Sequence, residues 1–110
     1  MNHSRWQTAR ERALRGEVEP PHITAEREQI RLAMALGQLV YDRRAELGLS
    51  EDALATRLGA TADDVEAIEL GGVVPVTAEL LLTLATALEV AVDLHLTPSG
   101  TAISFAAIAA

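Results

Sequence analysis

No cysteine occurs among the 110 residues, which excludes disulfides and thiolate metal sites. Lysine is also missing, so all nine basic residues are arginine. Aromatic residues number only three: Trp6, Tyr41 and Phe105. A core must therefore come from Leu, Val, Ile and Ala. No apolar run approaches the roughly 20 residues that a membrane-spanning helix needs. No charged-then-apolar leader opens the sequence. These absences lead to the expectation of a soluble, cytoplasmic chain without membrane association. His3, His22 and His95 lack metal-ligand spacing. No nucleophile–base–acid arrangement and no phosphate-cradling glycine loop is present, so no metal, cofactor or enzymatic activity is expected.

What is present is acidic and lopsided. The formal net charge is −7. Eight of the nine arginines lie in residues 1–44, against six acids. Residues 45–110 carry only Arg57 against ten acids. Such a chain has no general attraction to nucleic acid.

Periodicity divides the chain into three parts. Residues 1–23 form an N-terminal segment and linker. Trp6, Ala9 and Ala13 have near-helical spacing over 3–16, and Gly16 with Pro20-Pro21 ends that pattern. Residues 24–89 form a helical domain. Thr24 is expected to cap a helix over 25–47 with Ile30, Leu32, Leu36, Leu39, Val40 and Leu47 inward and Gly48 as its stop. Ser50 caps a helix over 50–58 that Gly59 ends. Thr61 caps the next, with Asp64 placed for a capping box, and Gly71-Gly72 ends it. Thr77 caps a fourth, to about Glu89, burying Leu80, Leu81, Leu84 and Leu88. Residues 90–110 then switch to alternation, Val90, Val92, Leu94 and Leu96 against Ala91, Asp93, His95 and Thr97. Thr97-Pro98-Ser99-Gly100 is a turn, and Ala102 to Ala106 is the return strand of a hairpin.

Two short helices joined through Gly59-Ala60 have the spacing of a helix-turn-helix. The wider stretch is more specific. Leu36-Gly37, Arg44, Gly48-Leu49-Ser50, Leu54-Ala55, Leu58-Gly59, Val65, Ile68-Glu69, Gly71, Pro75, Leu81, Ala85 and Ala87-Leu88 resemble, in that order, the Xre/phage-repressor (Cro/C1-type) helix-turn-helix family. The resemblance covers about half of the chain, and the loop near Pro75 is about one residue longer than the usual pattern. It implies a mainly α, lambda-repressor-like helical bundle, here with a C-terminal β-hairpin. It also implies a structural ion pair between Arg44 and Glu69. The Trp-bearing N-terminal segment, the extended first helix and the hairpin are similar to HigA-type antitoxins of toxin–antitoxin pairs. The implied function is a homodimeric, DNA-binding regulator, the antitoxin of a type II pair that represses its own promoter. Its partners would be double-stranded DNA and a toxin protein.

On this resemblance the DNA-contacting positions are Ser50, Glu51, Thr61, Ala62, Asp63, Glu66 and Ala67, with Arg43 and Arg57 as basic support. Trp6 and Arg10 are candidates for binding a partner, or belong to a loosely ordered end. Val92, Leu94, Leu96, Ile103 and Phe105 are expected at a dimer seam, because a lone hairpin is marginal in water and few other residues offer it a surface. The chain departs from the family where it matters most. Members usually expose Ser, Gln, Arg or Thr at the positions of Ala62, Asp63, Glu66 and Ala67, and Gln at that of Glu51. Those types donate to phosphates and base edges, whereas carboxylates oppose phosphate. A second reading follows: a module that keeps the fold, has lost DNA binding, and docks a partner through its acidic face.

Overall fold

The computed structural model describes residues 20–108. The segment expected to be helical over 3–16, with Trp6 and Arg10, lies outside the described residues. Within them the chain is mainly helical. The elements are α1 (Pro21–Glu46), α2 (Glu51–Leu58), α3 (Ala62–Glu69), α4 (Ala78–Leu88), β1 (Val90–Thr97) and β2 (Gly100–Ala107). No helix among the described residues is long and apolar enough to cross a membrane.

α1 starts earlier than Thr24, the expected cap. Pro20 is extended (ψ 137°) and Pro21 is the first helical residue. A residue before proline is pushed out of the helical region, while proline itself suits the first helical position. The tandem prolines thus begin this helix rather than only ending the segment before it. Pro20 O accepts the N–H groups of Ile23 and Thr24.

The stops follow one pattern. At Gly48 (φ 68°) the Gly48 N–H donates to Ala45 O, and the Leu49 N–H to Arg44 O. The same pair of bonds recurs at Gly59, from Gly59 to Thr56 and from Ala60 to Ala55, and at Gly71, from Gly71 to Ile68 and from Gly72 to Ala67. These are Schellman closures, which need a left-handed residue and so favour glycine. α4 ends differently. Glu89 takes the left-handed position at φ 55° without being glycine.

One core joins the helices. Leu36 and Val40 of α1 meet Leu54 and Ala55 of α2, Val65 and Ile68 of α3, Leu84, Ala87 and Leu88 of α4, and Val90 of β1. Each fully buried Leu or Val contributes about 1.5–3 kcal/mol. Leu39, Leu47, Leu80 and Leu81 are half-buried around that core, whereas Ile30 is exposed. Leu82 is exposed too.

The strands pair antiparallel, Val92 opposite Phe105 and Leu94 opposite Ile103, and β2 runs on both sides of the expected 102–106. The hairpin does find a surface within its own chain. β2 packs on α1, and Val92, Ile103 and Phe105 pack against the core. The Glu28 carboxylate of α1 accepts from the N–H (3.2 Å) and the hydroxyl (3.0 Å) of Thr101. This removes the premise for placing Val92, Ile103 and Phe105 at a dimer seam. Leu94 and Leu96 remain exposed.

Candidate nucleic-acid interface

α3 is set from both ends. At its start the Thr61 hydroxyl accepts from the Asp64 N–H (3.1 Å), and the Asp64 carboxylate accepts from the Thr61 N–H (3.0 Å). The Thr61 backbone N–H first, and then the Thr61 side chain, hold the Asp64 carboxyl below the usual carboxylate range. At its end Glu69 receives Arg44 in a two-pronged pair, Nε to Oε2 at 2.7 Å and Nη2 to Oε1 at 3.0 Å. Nη1 of the same guanidinium donates to Leu49 O at 2.9 Å, in the turn before α2. Arg44 therefore joins α1, that turn and the end of α3. The hydrogen bond to Glu69 is the main reason its pKa rises above the ordinary arginine value. Bidentate charged pairs add directional precision to strength.

Glycine sets the spacing. A Cβ on Gly37 would stand 2.6 Å from both Ile68 O and Glu69 O. The last turn of α3 thus lies backbone to backbone on α1, at a distance only glycine permits. Val65 and Ile68 are buried, so the opposite side of α3 must turn outward.

That outward side carries Asp63 and Glu66, both exposed, with Ala62 and Ala67 half-buried beside them. Ser50 uses its hydroxyl to cap α2, accepting from the Ala53 N–H at 3.0 Å. Glu51, Glu66 and Glu69 gather with Gln38, Tyr41 and Leu70 around a shallow depression of about 380 Å³. The other flank of α3 opens on an apolar cleft of about 370 Å³, lined by Leu58, Ala67, Ile68, Val73 and Leu80 among others. Of the expected contact positions, Glu51 and Glu66 therefore share one depression, where the charges are negative, and Ala67 lines the cleft on the other flank.

The two arginines expected to support that surface are engaged elsewhere. Arg43 Nε donates to Leu88 O (2.9 Å) and its Nη2 to Glu89 O (3.4 Å), while Nη1 meets Glu46 at 3.1 Å. Arg57 Nη1 donates to Ala87 O (2.9 Å) and lies 3.6 Å from the Glu89 carboxylate. Both cap the C-terminus of α4, where a helix leaves carbonyls unpaired and its dipole favours cations. The signal for this is a helix end without glycine, Ala87-Leu88-Glu89-Val90, in a domain where the three preceding helices each have one. The other arginines among the described residues, Arg27 and Arg31, lie on the first half of α1, and Arg31 pairs with Glu28 at 3.4 Å. Sequence reasoning also gives no role to Gln29, whose Oε1 accepts from the Val76 N–H at 3.0 Å and ties the loop before α4 to α1.

Comparison with family models, with curated proteins and with solved structures finds no match to this chain.

Proposed function

We propose that the chain is a DNA-binding transcriptional regulator of the Xre helix-turn-helix type, with a lambda-repressor-like domain that presents α3 to the major groove. The observation that carries this reading is the setting of α3. Its inner side is buried, its ends are pinned by Thr61–Asp64 and Arg44–Glu69, and its outer side is exposed. A recognition helix needs that combination of rigidity and exposure. Two copies would place two such helices on half-sites one turn, about 34 Å, apart. The flanking segments support the narrower reading, an antitoxin that represses its own promoter and binds a toxin protein.

The charges constrain how such a protein holds DNA. With Arg43 and Arg57 engaged at α4, phosphate contacts fall to backbone N–H groups at the starts of α2 and α3 and to the N-terminal arginines at positions 5, 10, 12 and 15. Base contacts by Asp63 or Glu66 would be to cytosine N4, the donor a carboxylate can read. The carboxylates favour a second reading, an interaction module whose α3 side docks the basic surface of a partner protein.

One pair of measurements separates the two. Fluorescence anisotropy with the duplex upstream of the chain's own coding frame should show saturable binding at low salt, tighter than to an unrelated duplex, weakening as salt rises. The double variant Asp63→Asn, Glu66→Gln should bind unrelated duplex more tightly, because two charges facing phosphate are gone. Absence of binding by either protein at low salt would remove the DNA reading and leave protein docking.

A further inference from the structure

The two edges of the hairpin are finished differently. The Ile108 N–H donates to Glu89 O at 3.3 Å, and from Val90–Ala107 the register runs to Thr97–Gly100 without a bulge. Facing residues in an antiparallel pair alternate between exchanging backbone bonds and turning theirs outward. With Glu89 and Ile108 bonded, Ala91, Asp93, His95 and Thr97 bond to β2. Val92, Leu94 and Leu96 then direct their N–H and C=O away from it. On β2 the outward set includes Thr101, and its N–H does leave the hairpin, for the Glu28 carboxylate of α1.

The β2 edge is thus met by α1. The β1 edge is bare: among the described residues nothing bonds the outward backbone groups of Val92, Leu94 and Leu96. Their side chains share the side of the sheet that packs on the core. Exposure rises along that row, from half-buried Val92 to Leu94 at 38% and Leu96 at 68%. β1 has neither a proline nor a bulge, devices that blunt a solvent-facing edge. An open edge of this kind is a template for another strand.

Charge says which strand. The ionisable side chains of β1 are Asp93 and His95, both exposed on the opposite side of the sheet. When a second β1 lies antiparallel about Leu94, Asp93 of each copy faces His95 of the other. That is a pair without mutual backbone bonds, so the side chains lie close. An imidazole N–H donates to a carboxylate whether or not the ring is charged. Leu94 then faces its own copy and Val92 faces Leu96, and these are the residues whose backbone groups point across. Val92 enters through its backbone, since its side chain already packs within the chain. Centring on Asp93 would set carboxylate against carboxylate, and centring on His95 would set Asp93 against Thr97.

We propose that β1 is a homodimer edge, two copies joining β1 to β1 antiparallel about Leu94 into a four-stranded sheet. Asp93–His95 contacts lie on one side of the seam, and Leu94 and Leu96 pack across it on the other. The pairing holds whether α3 meets DNA or a protein.

The test is sedimentation equilibrium of the full chain at up to about 100 µM, where a micromolar dimer is largely formed. Wild type should be dimeric. His95→Glu should weaken dimerisation about fivefold, because carboxylates then stand opposite each other twice. Adding Asp93→Arg to it should recover at least the wild-type affinity. Within one chain these positions face Ala102 and Ser104, so the hairpin itself does not select their charge. Leu94→Pro removes an N–H that the hairpin does not use and should give a monomer, with amide NMR showing β1 still paired to β2. A wild-type monomer would overturn the proposal. So would a double variant no tighter than His95→Glu, or a dimer that survives Leu94→Pro. If Leu94→Pro opens the hairpin, recovery in the double variant decides.

Discussion

The two halves of α1 are held in different ways. The second half is fastened by charge and by close approach. Gly37 lies against carbonyls of α3, Arg43 caps α4, and Arg44 reaches both Glu69 and Leu49. The first half buries Leu32 and Ala33, is tied by two polar contacts, Glu28 to Thr101 and Gln29 to Val76, and leaves Ile23 and Ile30 exposed. The difference teaches that one continuous helix can carry two tasks. Its second half sets the attitude of α3. Its first half supports the hairpin and the loop before α4.

Substitutions at the contacts of the second half should therefore cost more fold stability than those at exposed positions of the first. The largest effect is expected for Arg44→Ala. It leaves the Glu69 carboxylate largely buried without its partner, at a cost of about 3 kcal/mol, seen as a lower midpoint in chemical denaturation. If the loss were under about 1 kcal/mol, the pair would be ornamental and α3 would be held by apolar packing alone.

Gly37→Ala comes next, at about 2 kcal/mol, because its Cβ meets backbone carbonyls that cannot rotate away. It should push the end of α3 off α1, so chemical shifts at Ile68 and Glu69 should move more than those in α2. Uniformly small shifts would show that the close approach has slack. Glu28→Ala, in the first half, removes the one oxygen that accepts from both the N–H and the hydroxyl of Thr101 and should cost about 1 kcal/mol, with faster amide exchange confined to the hairpin. The same loss of protection in α3 would contradict the division of labour along α1. Ile30→Lys should change unfolding stability by less than about 0.5 kcal/mol.

The smallest effect is a pH dependence. The Asp64 carboxyl is depressed by its bonds to Thr61, so its contribution is present above the ordinary carboxylate value of 3.8 and is lost as pH falls through its lower, folded value. Thr61→Ala should remove part of the acid dependence of the melting temperature below about pH 4. An unchanged acid limb would mean that the capping box adds nothing to stability.

Much of this architecture is written in short-range signals. Ser50, Thr61 and Thr77 mark helix starts, and Gly48, Gly59 and Gly71 mark stops, because capping is decided within four residues of chain. The Pro20-Pro21 pair is ambiguous, since proline both ends one helix and begins another. The inward positions of α1 are legible from Leu32 onward. Ile30 is expected to face inward because it is apolar and stands near Leu32, yet two residues turn the helix by about 200°, which sets Ile30 almost opposite Leu32 and leaves it exposed. Long-range choices are least legible. Arg43 sits 45 residues from Leu88 O, and Glu28 sits 73 from Thr101. An arginine near a presumed DNA surface carries no mark of its own; the one sign is the missing glycine at the distant end of α4.

The central claim is that the outer side of α3 is the contact surface. Titration of the isotopically labelled full chain with its upstream duplex, followed by amide NMR, tests it most directly. The account predicts the largest shifts at Asp63, Glu66 and Ala67, with smaller ones at the start of α2. Binding that leaves those amides unmoved, or that perturbs only the hairpin, would contradict it.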